Sequence, residues 1–186
     1  MKLKSFGCSF IFGSDLADDG RNLPRATASR LTWPALLAAD LGYDYQCHAR
    51  PGAGNLQIAE RLLNECYKDE HSLFVVGWTW IDRFDYNQDK THHWKTIMPI
   101  DTDHRATVYY RDLHSQYRDK LTTLINIKLA IDTLKQKNWP FVMTYMDELI
   151  FETDWHATPT ILFLQEYIRP YMTKFDGITF LDWSKK

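Results

Sequence analysis

The sequence predicts an α/β fold, a three-layer α/β/α sandwich of flavodoxin-like type with a mostly parallel, five-stranded sheet. Two observations carry this. Short runs of apolar and β-branched residues alternate with segments of helical spacing along all 186 residues, the order that gives parallel strands joined by helical crossovers. Three turns, Gly7-Cys8-Ser9, Gly52-Ala53-Gly54-Asn55 and Gly77-Trp78-Thr79, fall at the carboxyl ends of predicted strands, where open parallel sheets gather their sites. No internal repeat and no linker divides the chain, so one domain over 1–186 is expected.

The elements follow in order. Lys2 to Phe6 reads as a first strand ending at Gly7, with Ser9 in the tight turn beyond it. Ser14 to Arg30 is rich in Asp, Gly, Asn and Arg and reads as a loop. Thr32-Trp33-Pro34 is a helix start, a capping Thr followed by Pro in the first turn, and Gly42 ends that helix. Tyr43, Tyr45, Cys47 and Ala49 alternate with polar residues as a second strand. Leu56 to Tyr67 places Ile58, Leu62 and Cys66 on one helical stripe. Leu73 to Val76 is a short apolar run, the pattern of a strand buried on both faces.

Residues 84–113 show no period and are expected as an insertion folded over one edge of the sheet. Ser115 to Lys137 carries the strongest helical spacing, through Tyr117, Leu121, Leu124, Ile127, Ile131 and Leu134. Trp139 to Met146 reads as a fourth strand, Thr158 to Phe175 as a helix bent at Pro170, and Gly177 to Leu181 as a fifth strand.

Composition bounds the function. Hydrophobic residues make up 45% and charged residues 25%, with a net charge of −2. That is a globular balance, with no electrostatic case for nucleic acid or an anionic membrane. The beginning lacks the apolar run of a secretion signal, and no stretch is long enough to span a bilayer, so a cytoplasmic protein is expected. Cys8, Cys47 and Cys66 have no metal-ligand spacing and read as buried thiols of a reducing compartment. The seven Trp and ten Tyr exceed ordinary usage; part belongs in the core, and part suits a site for a sugar or another flat ligand. His92, His93, Asp101, Asp103, His104 and His114 match no metal motif and read as a solvated loop. Asp147-Glu148, ending strand four, reads either as reaching the site or as helix-capping or surface, the latter preferred.

The three turns supply what acyl transfer needs, a nucleophilic hydroxyl and glycines that let a ligand approach backbone N–H groups. Together they resemble the SGNH (GDSL-type) hydrolase family. That family's first block, Gly-Asp-Ser, is here Gly7-Cys8-Ser9, and Trp33-Pro34-Ala35-Leu36-Leu37 resembles its first helix. Its second glycine is Gly52, or Gly54 if the alignment slips. Its Gly-x-Asn-Asp is here Gly77-Trp78-Thr79, with Thr79 where the oxyanion Asn belongs.

The resemblance implies an esterase or acetylesterase acting on a small ester or an acetylated carbohydrate, without metal or organic cofactor. Ser9 would attack the carbonyl, and the Ser9 and Gly52 N–H groups with the Thr79 hydroxyl would hold the oxyanion. Asn55 serves as a helix cap first and a ligand contact second. Trp78, Trp80 and Arg83 either line a substrate cleft or form a packed aromatic edge with the Arg stacked on it. Cys8 is a small core-facing residue. The family's last block, Asp-x-x-His, has no match before Lys186. Three readings stay open: a piece of a longer hydrolase, a non-catalytic relative that binds a carbohydrate or acyl ligand in the same cleft, or a substitute base, the best being His156. A missing last helix would also leave an apolar surface beside the Trp33 helix, suited to a homodimer.

Overall fold

The computed structural model describes residues 1–18, 27–88 and 93–185. Part of the expected Ser14–Arg30 loop, and His92, lie outside the described residues.

The sheet is built from β1 (Lys2–Phe6), β2 (Asp44–Cys47), β3 (Ser72–Trp78) and, after a long insertion, β6 (Phe141–Tyr145), in the order β2-β1-β3-β6. All three pairings are parallel, with Leu3 opposite Tyr45 and Leu73, and Val76 opposite Met143. Between them run α1 (Ser9–Phe12), α2 (Trp33–Asp40), α3 (Asn55–Tyr67) and α5 (Gln116–Gln136). The three-layer sandwich is therefore present. On one face Phe6, Phe74 and Val76 pack against Ile58 and Leu62 of α3 and Leu124, Ile127 and Ile131 of α5. On the other, Leu3, Val75 and Tyr45 pack against Ala35 and Ala38 of α2. The period-two alternation of Val75 and Val76 to opposite layers is what a doubly covered strand requires.

Four strands form this sheet among the described residues, and the fifth is corrected. After α6 (Pro159–Ile168) and a 3₁₀ turn at Arg169–Tyr171, only Met172 lies alongside β6, in a single parallel bridge to Met143. Gly177 to Leu181 is not a strand. Asp176 and Gly177, with φ of 51° and 79°, make a tight reversal in which Phe175 and Ile178 exchange two hydrogen bonds of 3.0 Å. The positive φ at both central residues is the type I′ pattern of an Asp-Gly pair. Thr179 then caps α7 (Phe180–Trp183), its hydroxyl accepting from Asp182 N–H at 3.2 Å and donating to the Asp182 carboxylate at 2.9 Å. That reciprocal cap favours a helix over the strand its β-branched residues suggest.

The insertion also differs from expectation. It is a hairpin of β4 (Phe84–Gln88) and β5 (His93–Ile97), then α4 (His104–Val108) and a π turn at Tyr109–Leu113. It pairs with no strand of the sheet among the described residues. It sits on the helix N-termini instead, through Asp85 on α3 and through Phe84, over which Arg118 of α5 stacks at 4.8 Å. Its own core is Ile97, Ala106 and Tyr109, and Asp103, exposed as expected, also caps α4. Leu31, Leu36 and Leu41, around α2, are exposed. No helix among the described residues is long and apolar enough to cross a membrane.

Candidate active site

Ser9 owes its position to two glycines. β1 and β3 are neighbours, and Ile11 of α1 drops onto their carboxyl ends. A Cβ on Gly7 would stand 2.4 Å from Ile11 Cγ1, and one on Gly77 would stand 2.7 Å from the same atom. Any side chain at either place would lift α1 off the sheet. With Ile11 seated, Cys8 occupies the extended N-cap position and Ser9 begins α1, so it stands on a helical turn rather than in a simple reversal. Gly13, at φ 81°, closes that turn. Cys8 is buried with its Sγ 4.0 Å from Met146 Sδ, a packed thiol. Ser9 is half-buried and borders a cleft of about 510 Å³ whose walls include Phe10, Trp33, Leu36, Phe180 and Trp183. Among the described residues the Ser9 hydroxyl has no hydrogen-bond partner.

The second turn is tied to the first. Arg50 N–H donates to Gly7 carbonyl at 3.0 Å, and Ala53 N–H closes back on Arg50 carbonyl at 3.1 Å. Pro51 and Gly52 occupy the centre, with Gly52 at φ 78°. This is the Pro-Gly arrangement of a type II turn, in which the third residue needs the left-handed region. A Cβ on Gly52 would meet nothing within 4 Å, so the backbone there is open to an approaching group. Neither the Ser9 N–H nor the Gly52 N–H donates to a protein acceptor among the described residues.

Gly54 and Asn55 have other work. Gly54 makes room for Asp85, whose carboxylate would lie 2.5 Å from an added Cβ. Asp85 accepts from Gly54 N–H (3.0 Å), Gln57 N–H (3.0 Å), Gln57 Nε2 (2.9 Å) and Thr96 Oγ1 (2.7 Å). It is thus the N-terminal cap of α3, delivered from the insertion and favoured by the helix dipole. Asn55 is the first residue of α3, one place after the cap position at Gly54, and it borders a small cavity of about 180 Å³. Its side chain reaches the end of β3, accepting from Thr79 N–H at 2.9 Å and donating to Thr79 carbonyl at 3.1 Å and to Thr123 Oγ1 at 3.2 Å.

The remaining sequence candidates scatter. Thr79 is 1% exposed and its hydroxyl is buried without a partner among the described residues, so it does not open on the cleft. Trp78 is 0% exposed, a core residue and not a cleft wall. Arg83 donates to Ala53 carbonyl at 3.0 Å and stacks over Trp80 at 4.7 Å, and it also lines the small cavity of about 180 Å³ with Asn55. His156, at φ 52°, sets its ring edge-on against Trp155 and Tyr117, with Nε2 buried and unpartnered among the described residues. It shares no wall with the Ser9 cleft.

A second cavity, of about 350 Å³, lies where β3 and β6 end. Trp80, Asp82, Tyr110, His114, Asp147 and Trp155 line it. His114 Nε2 is 2.8 Å from Asp119 Oδ2, so His114 is a held residue, not a loose surface one. Asp147 accepts from Ile81 N–H (3.1 Å) and from Leu149 N–H (3.0 Å), capping the 3₁₀ turn Glu148–Ile150. Burial pushes the Asp82 and Asp147 carboxyls above the usual carboxylate range, and the Asp147 charge adds to the rise at Asp82. Among the described residues no group of His, Cys, Asp and Glu is arranged to hold a metal ion. The sequence signal for this cavity was the excess of Trp and Tyr; its convergence depends on the insertion, which has no period to read.

No protein-family model and no curated protein matches the chain. Solved structures do. The acetyl xylan esterase Est2A from the rumen bacterium Butyrivibrio proteoclasticus aligns over 94% of this chain and 54% of its own, at 14% identity and a TM-score of 0.51. A member of the lipolytic protein G-D-S-L family from Veillonella parvula DSM 2008 aligns over 96% of this chain and 75% of its own, at 12% identity and a TM-score of 0.46. The chain spans about half the length of the esterase. At these identities the likeness is one of fold, and the fold is SGNH-hydrolase-like.

Proposed function

We propose that the chain is an SGNH-type serine hydrolase, an esterase or acetylesterase that cleaves a small ester or acetylated carbohydrate through an acyl-enzyme on Ser9. The observation that carries this reading is the pairing of two turns at one sheet edge. The unpartnered Ser9 hydroxyl borders an aromatic-walled cleft, and the Arg50–Gly7 hydrogen bond fastens the Gly52 turn beside it. Ser9 Oγ attacks the acyl carbonyl, and the free Ser9 and Gly52 N–H groups receive the developing oxyanion. The Ser9 proton ends on the departing alcohol, and water then cleaves the acyl-enzyme, releasing the acid and returning a proton to Ser9. One such donor is typically worth about 100–1,000-fold in rate. Thr79, shut away in the core, is not assigned a part. No metal or organic cofactor is invoked.

The proton on Ser9 needs an acceptor, and no imidazole touches Ser9 among the described residues. That observation favours a second reading, a non-catalytic relative that binds a carbohydrate or acyl ligand in the same cleft. Hydrolysis of p-nitrophenyl acetate by the protein and by Ser9→Ala separates the two. The hydrolase reading expects the activity to fall to background in the variant, together with loss of fluorophosphonate labelling at Ser9. Equal rates in both proteins leave only the binding reading. A homodimer belongs to the same proposal, supported by the 51% exposure of Leu36 on α2, and equilibrium sedimentation of the protein and Leu36→Glu tests it.

A further inference from the structure

The cavity at the ends of β3 and β6 is separate from the Ser9 cleft but adjoins it. Phe10, on the wall of the first, meets Trp80, on the wall of the second, edge-on with ring centroids 6.0 Å apart. Its volume of about 350 Å³ falls within the range of small-molecule pockets, roughly 300–1,000 Å³. We propose that this second cavity is a binding site for a neutral, hydroxyl-rich ligand of the sugar class, held between its indoles and its carboxylates.

Three features of the walls select that chemistry. The first is aromatic surface. Trp80, Tyr110 and Trp155 present flat apolar area to which the C–H face of a sugar ring is complementary. The second is hydrogen-bonding capacity left unused. The Asp82 carboxyl accepts from no other residue among those described, and vicinal hydroxyls are the donors such a group lacks. His114, fixed by Asp119 at 2.8 Å, adds a polar edge. The third is charge. Asp82 and Asp147 repel an anion.

A cation is disfavoured for a different reason. The indoles already carry cations: Arg83 lies 4.7 Å from the Trp80 ring and Lys120 Nζ lies 5.2 Å from the Trp155 ring. Lys120 is buried there and donates to the Glu152 and Trp155 carbonyls at 2.5 Å and 2.6 Å. A further cation on the same rings would face both across low-dielectric surroundings.

Tyr110 and His114 belong to the 84–114 stretch, so the cavity is a feature of this chain's own insertion. Tyr110 Oη is anchored, donating to Asp82 carbonyl at 2.7 Å, which fixes the insertion against the end of β3. Binding at this site stands without any chemistry at Ser9. The further step, in which the sugar is the alcohol part of the ester attacked there, rests on the reading proposed above.

The test is binding of methyl β-D-xylopyranoside and methyl β-D-glucopyranoside, followed by tryptophan fluorescence and by indole N–H shifts in a ¹⁵N spectrum. Saturation on the order of millimolar is expected, with shifts at Trp80 and Trp155, unchanged in Ser9→Ala and about tenfold weaker in Asp82→Ala. Among the described residues the Asp82 side chain makes no hydrogen bond to another residue that its removal would break, and thermal melts check that the variant is folded. Three results overturn the proposal: no saturable binding of either glycoside, shifts confined to other tryptophans, or tighter binding of choline than of the glycosides. Absence of p-nitrophenyl acetate hydrolysis in the unsubstituted protein, with glycoside binding intact, would remove the Ser9 reading alone. Hydrolysis without glycoside binding would remove this one alone.

Discussion

The Asn55 side chain and the Thr79 peptide bond to each other in both directions, Oδ1 accepting from Thr79 N–H at 2.9 Å and Nδ2 donating to Thr79 carbonyl at 3.1 Å. An amide side chain thus continues the β3 ladder for one residue after its strand partners have ended, and locks the N-terminus of α3 to the carboxyl edge of the sheet. Asn55→Ala strands a buried donor and a buried acceptor at once. The expected loss is about 2–4 kcal/mol, read as a lower urea midpoint at unchanged slope. A loss below about 0.5 kcal/mol would show that solvent replaces the clamp.

Ile11 is accommodated by Gly7 and Gly77 together, because both would-be Cβ atoms fall within 3 Å of it. Gly77→Ala is expected to cost about 1–3 kcal/mol by overpacking. Ile11→Val vacates part of that space, so the double variant should lose less than the sum of the two single ones. Strict additivity in the cycle would mean that Ile11 is not what Gly77 makes room for. If the Ser9 reading holds, Gly77→Ala also lowers ester hydrolysis, since it displaces the turn that begins with Ser9.

Much of the sandwich was legible because its signals are local. The Ile58, Leu62 and Cys66 stripe and the apolar run at Leu73–Val76 became the elements they imply, and α2 starts at Trp33-Pro34 as expected, although the Thr32 hydroxyl makes no capping bond and lies 3.5 Å from Tyr45 Oη. The fifth strand failed on a local signal that was present, since Asp176-Gly177 followed by Thr179 and Asp182 spells a tight reversal and a helix cap. The site was less legible for a different reason. Whether Thr79 points to solvent or to the core, and whether Asn55 caps its own helix or reaches β3, depends on the packing of residues distant in sequence. Asp85 is the clearest case, because nothing in Phe84-Asp85-Tyr86 announces a cap for a helix that begins 30 residues earlier.

Asp85 accepts four hydrogen bonds, two of them from the first-turn backbone of α3 and its cap. Asp85→Ala removes a buried carboxylate together with its partners' acceptor. A cost of about 2–4 kcal/mol is expected, above an ordinary cap because Gln57 and Thr96 also lose their partner. Amide exchange at Gly54 and Gln57 should accelerate more than exchange at the centre of α3. Uniform acceleration along the helix would mean that Asp85 acts through global stability alone.

The raised carboxyls of Asp82 and Asp147 set the sign of a pH dependence. Burial is the largest cause at both, and each charge is formed at a cost that the unfolded chain does not bear. Between the ordinary Asp value of about 3.9 and their raised native values, the folded state holds more protons than the unfolded one. Stability contributed by these groups is therefore full below that window and falls as pH rises through it. Asp147 offsets part of this through the Ile81 and Leu149 N–H groups it accepts from, whereas the Asp82 carboxyl accepts from no other residue among those described. Asp82→Asn should for that reason be more stable than the parent at about pH 7 and equal to it below about pH 4. Urea midpoints across that range decide the matter. A variant less stable than the parent at neutral pH would show that the attraction of Arg83 for the Asp82 charge outweighs the cost of burying it.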